Sequence, residues 1–382
     1  MTNMNNSYKA WKKLLRIPGL LVMAQVLFLI QPASAAGVIN PGWHIVSSAN
    51  GAGNDQLLGV SAIATNDIWA VGNANNQPLI EHWDGSSWTI VPASDLWTYG
   101  SLAAVAAIDP ANVWAVGRDG GGSVALLAHW DGTSWKQSRV SFTGNLFAIT
   151  ALAWNDIWAV GRDDDFATLI IHWDGTNWSR VASPSPGSVG SYLFGIAAHS
   201  ASDIWAVGED VKEDHLEYTL VEHWDGVSWN TVSDNQQNGS PVLNAVTTFP
   251  SGKAIVVGTY GPNSGYNDRV YAQLWNGAQW NTQPIPSPTS GVSALMGIVA
   301  PGENDAWAVG TNASLFRHPG AVVPLIEHWN GAGWRRMSGP RPGVMVALNA
   351  ISLIPDSGQL VAVGSYQTTY NAPLQTIVEM YY

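Results

Sequence analysis

The chain has 382 residues, 28 acidic side chains against 16 basic ones, a formal net charge of −12 and no cysteine. A protein of that sign is not drawn to phosphate backbones or anionic lipid surfaces, so nucleic acid is not an expected partner. Without cysteine there are no disulfides and no thiolate chemistry, and stability has to come from packing.

The first segment reads as a signal. Lys9, Lys12, Lys13 and Arg16 make a basic stretch, 17–30 a short apolar run, and Ala33-Ser34-Ala35 a small-residue cleavage site. That order is the secretory pattern, and the apolar run is short for a membrane span. Residues 1–35 are therefore expected to be removed, leaving 36–382 as a secreted domain with no membrane span and a net charge of −16. Retention of the segment as an anchor is the alternative.

From there one unit recurs seven times: L-x-[GA]-[VI], a short turn, I-W-A-V-G, a variable loop, then L-I-E-H-W-D-G-x-x-W. The first tryptophan stands at Trp69, Trp114, Trp158, Trp205 and Trp307, replaced by Ile255 and Val361 in copies five and seven. The second stands at Trp83, Trp130, Trp173, Trp224, Trp275 and Trp329, with Tyr381 in the seventh place. The third stands at Trp88, Trp135, Trp178, Trp229, Trp280 and Trp334, and its seventh copy is Trp43, at the other end of the chain.

Copy one shows four strand candidates: 57–63, 68–72, 79–83 and 88–91. They are short, rich in Val, Ile, Leu and Trp, and separated by turn residues, as antiparallel strands require. Asn66-Asp67 and its equivalents mark the first turn, where Asx side chains can bond nearby backbone N–H groups. Asp84-Gly85 and its equivalents mark the tight turn before the third Trp. The small residue two places after each repeated leucine, from Gly59 to Ala350, suits an innermost strand where neighbouring backbones crowd. Four-stranded units repeated around an axis make a β-propeller. The expected fold is all-β: a seven-bladed propeller, closed by an N-terminal strand near Trp43 that pairs beside 377–381.

I-W-A-V-G followed by L-I-E-H-W-D-G-x-x-W resembles the kelch repeat over the whole of 36–382, with Val-Gly where kelch units have a double glycine. The pattern is also similar to tectonin-type propeller lectins. The kelch resemblance extends to galactose-oxidase-like proteins, whose copper site relies on a Tyr–Cys crosslink; a chain without cysteine excludes that chemistry.

Strand parity puts the first and third turns of each unit on one face and the middle loop and interblade connection on the other. All the variation in loop length falls on the second face, where binding is usually placed. Its aromatic residues outside the framework are the candidate ligand-binding set: Trp97, Tyr99, Phe166, Tyr192, Tyr260, Tyr266, Phe316, Tyr366 and Tyr370. Exposed rings offer flat apolar area at little entropic cost, suited to sugars or to a protein partner. Asp163, Asp164, Asp165, Glu209 and Asp210 form an oxygen-rich cluster that would suit Ca²⁺, without any ordered ligand spacing; a solvated acidic rim is the alternative. No other cofactor is expected, and no catalytic residue is assigned.

His82, His129, His172, His223 and His328 repeat with the framework and so serve it. The expected function is a binding module recognising a glycan or an extracellular protein through the variable face. Two alternatives stay open: a carbohydrate-active enzyme whose acids sit on that face, because two carboxylates can meet across blades without a linear motif, and a structural surface protein.

Overall fold

The computed structural model describes residues 42–51, 53–92, 99–120, 124–138, 140–233, 240–261, 268–313 and 321–382. The signal-like segment 1–35 lies outside them. Every regular element among the described residues is a strand, and no described helix is long and apolar enough to cross a membrane.

Copy one folds as a four-stranded antiparallel meander of Asp55–Ala64, Asp67–Ala74, Gln77–Trp83 and Trp88–Ile90. Equivalent sheets open at Gly100, Asn145, Gly190 and Ser240. The remaining eight strands form one sheet, two four-stranded runs joined by a single parallel bridge between Val322 and Met345. In the second run Trp43–Val46 is the outer strand, antiparallel to Gln375–Tyr381, with Trp43 opposite Tyr381. The two ends of the ring are thus zipped together. Each first strand packs on the first strand of the next copy, and the last of them, Met345–Ile354, packs on Asp55–Ala64.

The small residues after the repeated leucines are there because these inner strands nearly touch. A Cβ on Gly59 would stand 2.8 Å from the Cα of Ala104 in the next copy, closer than side-chain carbons approach backbone. Among the described residues every inner strand also carries a bulge between the leucine and that small residue. The extra residue of each bulge, from Leu58 through Phe147 and Phe194 to Asn349, lines a channel of about 250 Å³ along the axis. Two bulge residues tie copies together: Asn349 Nδ2 donates to the Leu57 carbonyl and Asn244 Nδ2 to that of Leu295, both at 2.8 Å.

The tryptophans hold the sheets to one another. In the five copies that carry it, the first Trp enters the next copy and meets its second and third aromatic residues: Trp69 lies 5.1 Å from Trp130 and 5.5 Å, edge-on, from Trp135. Trp114, Trp158 and Trp205 repeat the arrangement. At the seam Trp307 meets Tyr381 at 4.7 Å and Trp43 at 5.9 Å, so the split copy supplies the same socket from both chain ends.

The first turn differs from expectation. Its Asp side chain bonds the repeated histidine rather than nearby backbone: Asp67 Oδ1 lies 2.8 Å from His82 Nε2, and the imidazole lies against Trp69 at 4.3 Å. Asn112–His129, Asp156–His172, Asp203–His223 and Asp305–His328 do the same. Where the Trp is lost the other two go with it: copy five has Lys253, Ile255 and Leu274, copy seven Gln359, Val361 and Met380. The histidine orients the Trp and the carboxylate orients the histidine, so the three stand or fall together. The third turn behaves as read, with Asp84 Oδ1 accepting from the Ser86 hydroxyl and from the N–H groups of Ser87 and Ser86, which together hold its carboxyl at about 2.

Four glutamates of the L-I-E-H-W segment, Glu81, Glu222, Glu327 and Glu379, are fully buried. Glu81 accepts the Ala49 N–H, and Glu327 accepts from Arg336 at 2.8 Å. Glu222 and Glu379 have no hydrogen-bond partner among the described residues. Loss of water pushes Glu81, Glu222 and Glu379 up to about 8, and Glu327, opposed by Arg336, up to about 7.

Two outcomes follow from this packing. Trp43→Ala removes one wall of the socket that receives Trp307 and should cost about 3–5 kcal/mol in urea unfolding; a loss below about 1 kcal/mol would show that the seam does not depend on it. The folded state holds the four glutamates protonated above the pH at which the unfolded chain releases them. Their stabilisation is therefore complete below about pH 4.5 and lost as pH rises through about 7 for Glu327 and about 8 for the other three. The urea midpoint should fall from pH 5 to pH 9, and Glu379→Gln should flatten that fall; an equal slope in the variant would mean the group ionises freely.

Candidate functional site

Once the framework residues are spent on packing, the free positions on the variable face are those at the channel mouth. The residue before each repeated leucine pairs across the first two strands with the residue after W-A-V-G. In copies one to three these pairs are Gln56–Asn73, Ser101–Arg118 and Asn145–Arg162. Together with Tyr99, Asn76 and Asp119 they line one cleft of about 590 Å³. Asn73 Nδ2 donates to Ser101 Oγ at 3.2 Å, which links the first two pairs. In copy four the pair is Tyr192–Glu209.

Arg162 is the hinge of this site. Its guanidinium lies 4.7 Å from the Phe166 ring centroid and 5.6 Å from that of Tyr192, within cation–π range. Phe166 meets Tyr192 edge-on at 6.5 Å, Tyr192 stacks on Phe194 at 6.2 Å, and Phe194 meets Phe147 at 5.5 Å inside the channel mouth. A run of rings thus descends from the rim to the axis. Phe166 stands in the left-handed region at φ 62°, costly for a residue with a Cβ. The turn Asp163–Ala167 enforces it: the Asp163 N–H donates to the Ala167 carbonyl at 2.8 Å, and the Phe166 carbonyl accepts the Ser191 N–H at 2.8 Å. The result is a large ring left 46% exposed over a guanidinium.

The acidic cluster is arranged differently from a shared metal cage. Asp163 is buried; its Oδ1 accepts the N–H groups of Asp165 and Ala167, and its Oδ2 accepts from Arg180 at 2.6 Å. Asp164 and Asp165 are exposed beside it. Glu209 and Asp210 lie on a strand rather than in a loop, because pairing continues to Val211–Glu217. Asp210 is buried. Burial raises Asp210, and hydrogen bonds from Ser191 and Gly187 oppose it. Burial, with repulsion from Glu217 and Asp210, pushes Glu209 up to about 7. Among the described residues no three His, Asp or Glu side chains are grouped to hold a metal ion.

Of the aromatic residues singled out from the sequence, Tyr99, Phe166 and Tyr192 come together around this cleft and Arg162. Tyr260 lies apart, 6.2 Å from Tyr271 in a smaller cleft of about 340 Å³ on copy five. Tyr366 packs against the core at the seam, and Tyr370 is exposed. Trp97, Tyr266 and Phe316 lie outside the described residues. Sequence reasoning missed Arg118 and Arg162, although the position after W-A-V-G carries the signal: it reads Asn73, Arg118, Arg162, Glu209, Thr259, Thr311 and Ser365 around the ring.

No family model matches the chain, and no curated protein matches it. Solved structures do. A polysaccharide lyase, the PL25 ulvanlyase bound to -[GlcA(1-4)Rha3S]-, aligns over 87% of this chain and 95% of its own, with a TM-score of 0.61 at 10% identity. The β-propeller domain of Cps50 (Swd1) from Myceliophteria thermophila aligns over 89% and 99%, with a TM-score of 0.54 at 10% identity. The SapL1 lectin in complex with alpha methyl fucoside aligns over 74% and 96%, with a TM-score of 0.50 at 16% identity. At these identities the likeness defines the fold, an all-β propeller of repeated four-stranded antiparallel sheets.

The near-neutral Glu209 is directly measurable. Its carboxyl ¹³C resonance, assigned by difference against Glu209→Gln, should titrate with a midpoint near pH 7; a midpoint near 4.5 would mean that the site is wetter than its packing implies.

Proposed function

We propose that the chain is an exported, seven-bladed, kelch-like propeller that binds carbohydrate at the rim formed by copies one to four. The observation that carries this reading is the Arg162–Phe166–Tyr192 cluster, in which backbone strain holds an aromatic plane exposed at a polar cleft. Sugars present alternating apolar faces and hydroxyl edges. Tyr99 in the cleft and the exposed Phe166 beside Arg162 offer planes for the former, while Gln56, Asn73 and Asn145 offer amide donors and acceptors for the latter. Two of the similar propellers carry sugars in their structures, a fucoside in a lectin and a uronate-containing unit in a lyase. The acids nearby act in this reading as ties, Asp163 holding the Phe166 turn and Asp210 the copy-four edge, and binding needs no Ca²⁺.

Glu209 favours a second reading, a carbohydrate-active enzyme on the same face, since a carboxyl poised near neutrality can donate or accept a proton. A glycan array probed with the purified chain decides between them. Binding should survive chelation of calcium and weaken about three- to tenfold in Tyr99→Ala and in Phe166→Ala, with circular dichroism unchanged. Binding indifferent to both changes would move the site elsewhere. Release of new reducing or unsaturated ends from a bound polysaccharide, lost in Glu209→Gln, would establish the enzyme instead.

A further inference from the structure

The polar rim is not uniform around the ring. In copies five to seven the pairs at the channel mouth are Val242–Thr259, Ala294–Thr311 and Ala347–Ser365, small and uncharged. In copies two and three, side by side, they end in Arg118 and Arg162. Both guanidiniums line the same cleft, and among the described residues neither belongs to an ion pair. The carboxylate adjoining Arg162 in sequence is already committed, because Asp163 is held by Arg180 and two backbone N–H groups. In a chain with 28 acidic residues against 16 basic, two neighbouring arginines that share one cleft and form no ion pair among the described residues are a specific provision. Arg162 is in addition positioned in advance by the two rings it lies over, so less freedom is lost when its N–H groups meet a ligand.

We infer that this cleft takes an anionic polysaccharide, with an acidic group of one sugar accepting hydrogen bonds from Arg118 and Arg162. The inference rests on the carbohydrate-binding reading above and narrows its ligand class. A planar guanidinium matches the two acceptor oxygens of a carboxylate or sulfate. The rest of the lining asks for more than a bare anion. Asn73, Asn145 and Gln56 suit hydroxyl groups, and the exposed Tyr99 offers a plane for the ring. The occupant therefore carries hydroxyls, apolar ring faces and negative groups together. The shared chemistry covers uronates and sulfate esters, which the test separates.

Isothermal titration calorimetry on the purified chain should compare polygalacturonate with its methyl ester and dextran sulfate with dextran, pairs that differ in charge on a common backbone. At least one polyanion should bind, about tenfold or more tightly than its neutral partner, and weaken with added salt. Arg118→Gln combined with Arg162→Gln should remove that preference, and Arg162→Lys should recover part of it. Arg335→Gln, the loss of one positive charge at an exposed position of copy six, should leave it unchanged. Neutral and charged partners bound equally tightly would overturn the inference and leave carbohydrate binding standing. So would a preference that survives the double variant. Failure of every polysaccharide, neutral or charged, here and on the array would overturn both.

Discussion

The structure depends on one contact repeated around the axis: the indole of each I-W-A-V-G segment seated between two aromatic residues of the following copy. A four-stranded meander has two faces to cover and cannot cover them alone. A large flat ring carried from one unit into a socket of the next covers both at once and fixes the distance between units. The Asp–His pair beneath it keeps the ring in one orientation, so the angle between sheets is set as well as their separation. Closure demands that the last indole, Trp307, find the same socket, which is why Tyr381 and Trp43 come from opposite ends of the chain to form it. The near contact of Gly59 with Ala104 and the bulges of the inner strands follow from that spacing.

The same constraint decides where chemistry can be placed. A position that packs against a neighbouring copy has to keep its type, or to change together with its partners, as the Trp, His and Asp positions of copies five and seven do. The positions free to vary are the ones the ring leaves facing the axis and the mouth: the bulge residue, the residue before the leucine and the residue after W-A-V-G. At the mouth, amides, arginines and aromatic rings meet in copies one to four, while the pairs flanking the leucine and W-A-V-G in copies five to seven are small and uncharged. A symmetric scaffold thus presents an asymmetric rim. The strained backbone of Phe166 belongs to this rim, and its cost is borne by the turn hydrogen bonds around Asp163.

Much of the fold was legible because the framework is written in tryptophan, which has few reasons to recur at fixed spacing other than packing. The pairing of Trp43 with Tyr381 could be read from the displaced third Trp alone. The role of the repeated histidine could be read only in part: its copying with the framework showed that it serves the sheet, but the partner, Asp67 and its equivalents, was assigned to backbone because an Asx turn explains the local sequence equally well. The site was less legible. Arg118 and Arg162 adjoin a repeated segment and read as part of it, and only the pairing register shows that their position faces the mouth. The acids of copies three and four looked like one loop cluster because strand ends are hard to place; extension of the pairing to Val211–Glu217 puts Glu209 and Asp210 on a strand. Tyr260 and Tyr366 share the face by parity yet lie away from the cleft, a matter of which copy carries them.

The most direct test of this account is a crystal structure of the chain with an oligosaccharide bound. The account places the sugar at the channel mouth over copies one to three, within hydrogen-bond distance of Arg118, Arg162 or the Asn73 and Asn145 amides, with a ring face on Tyr99 or Phe166. A sugar seated on the face of the short first and third turns, or in the copy-five cleft beside Tyr260 and Tyr271, would contradict it.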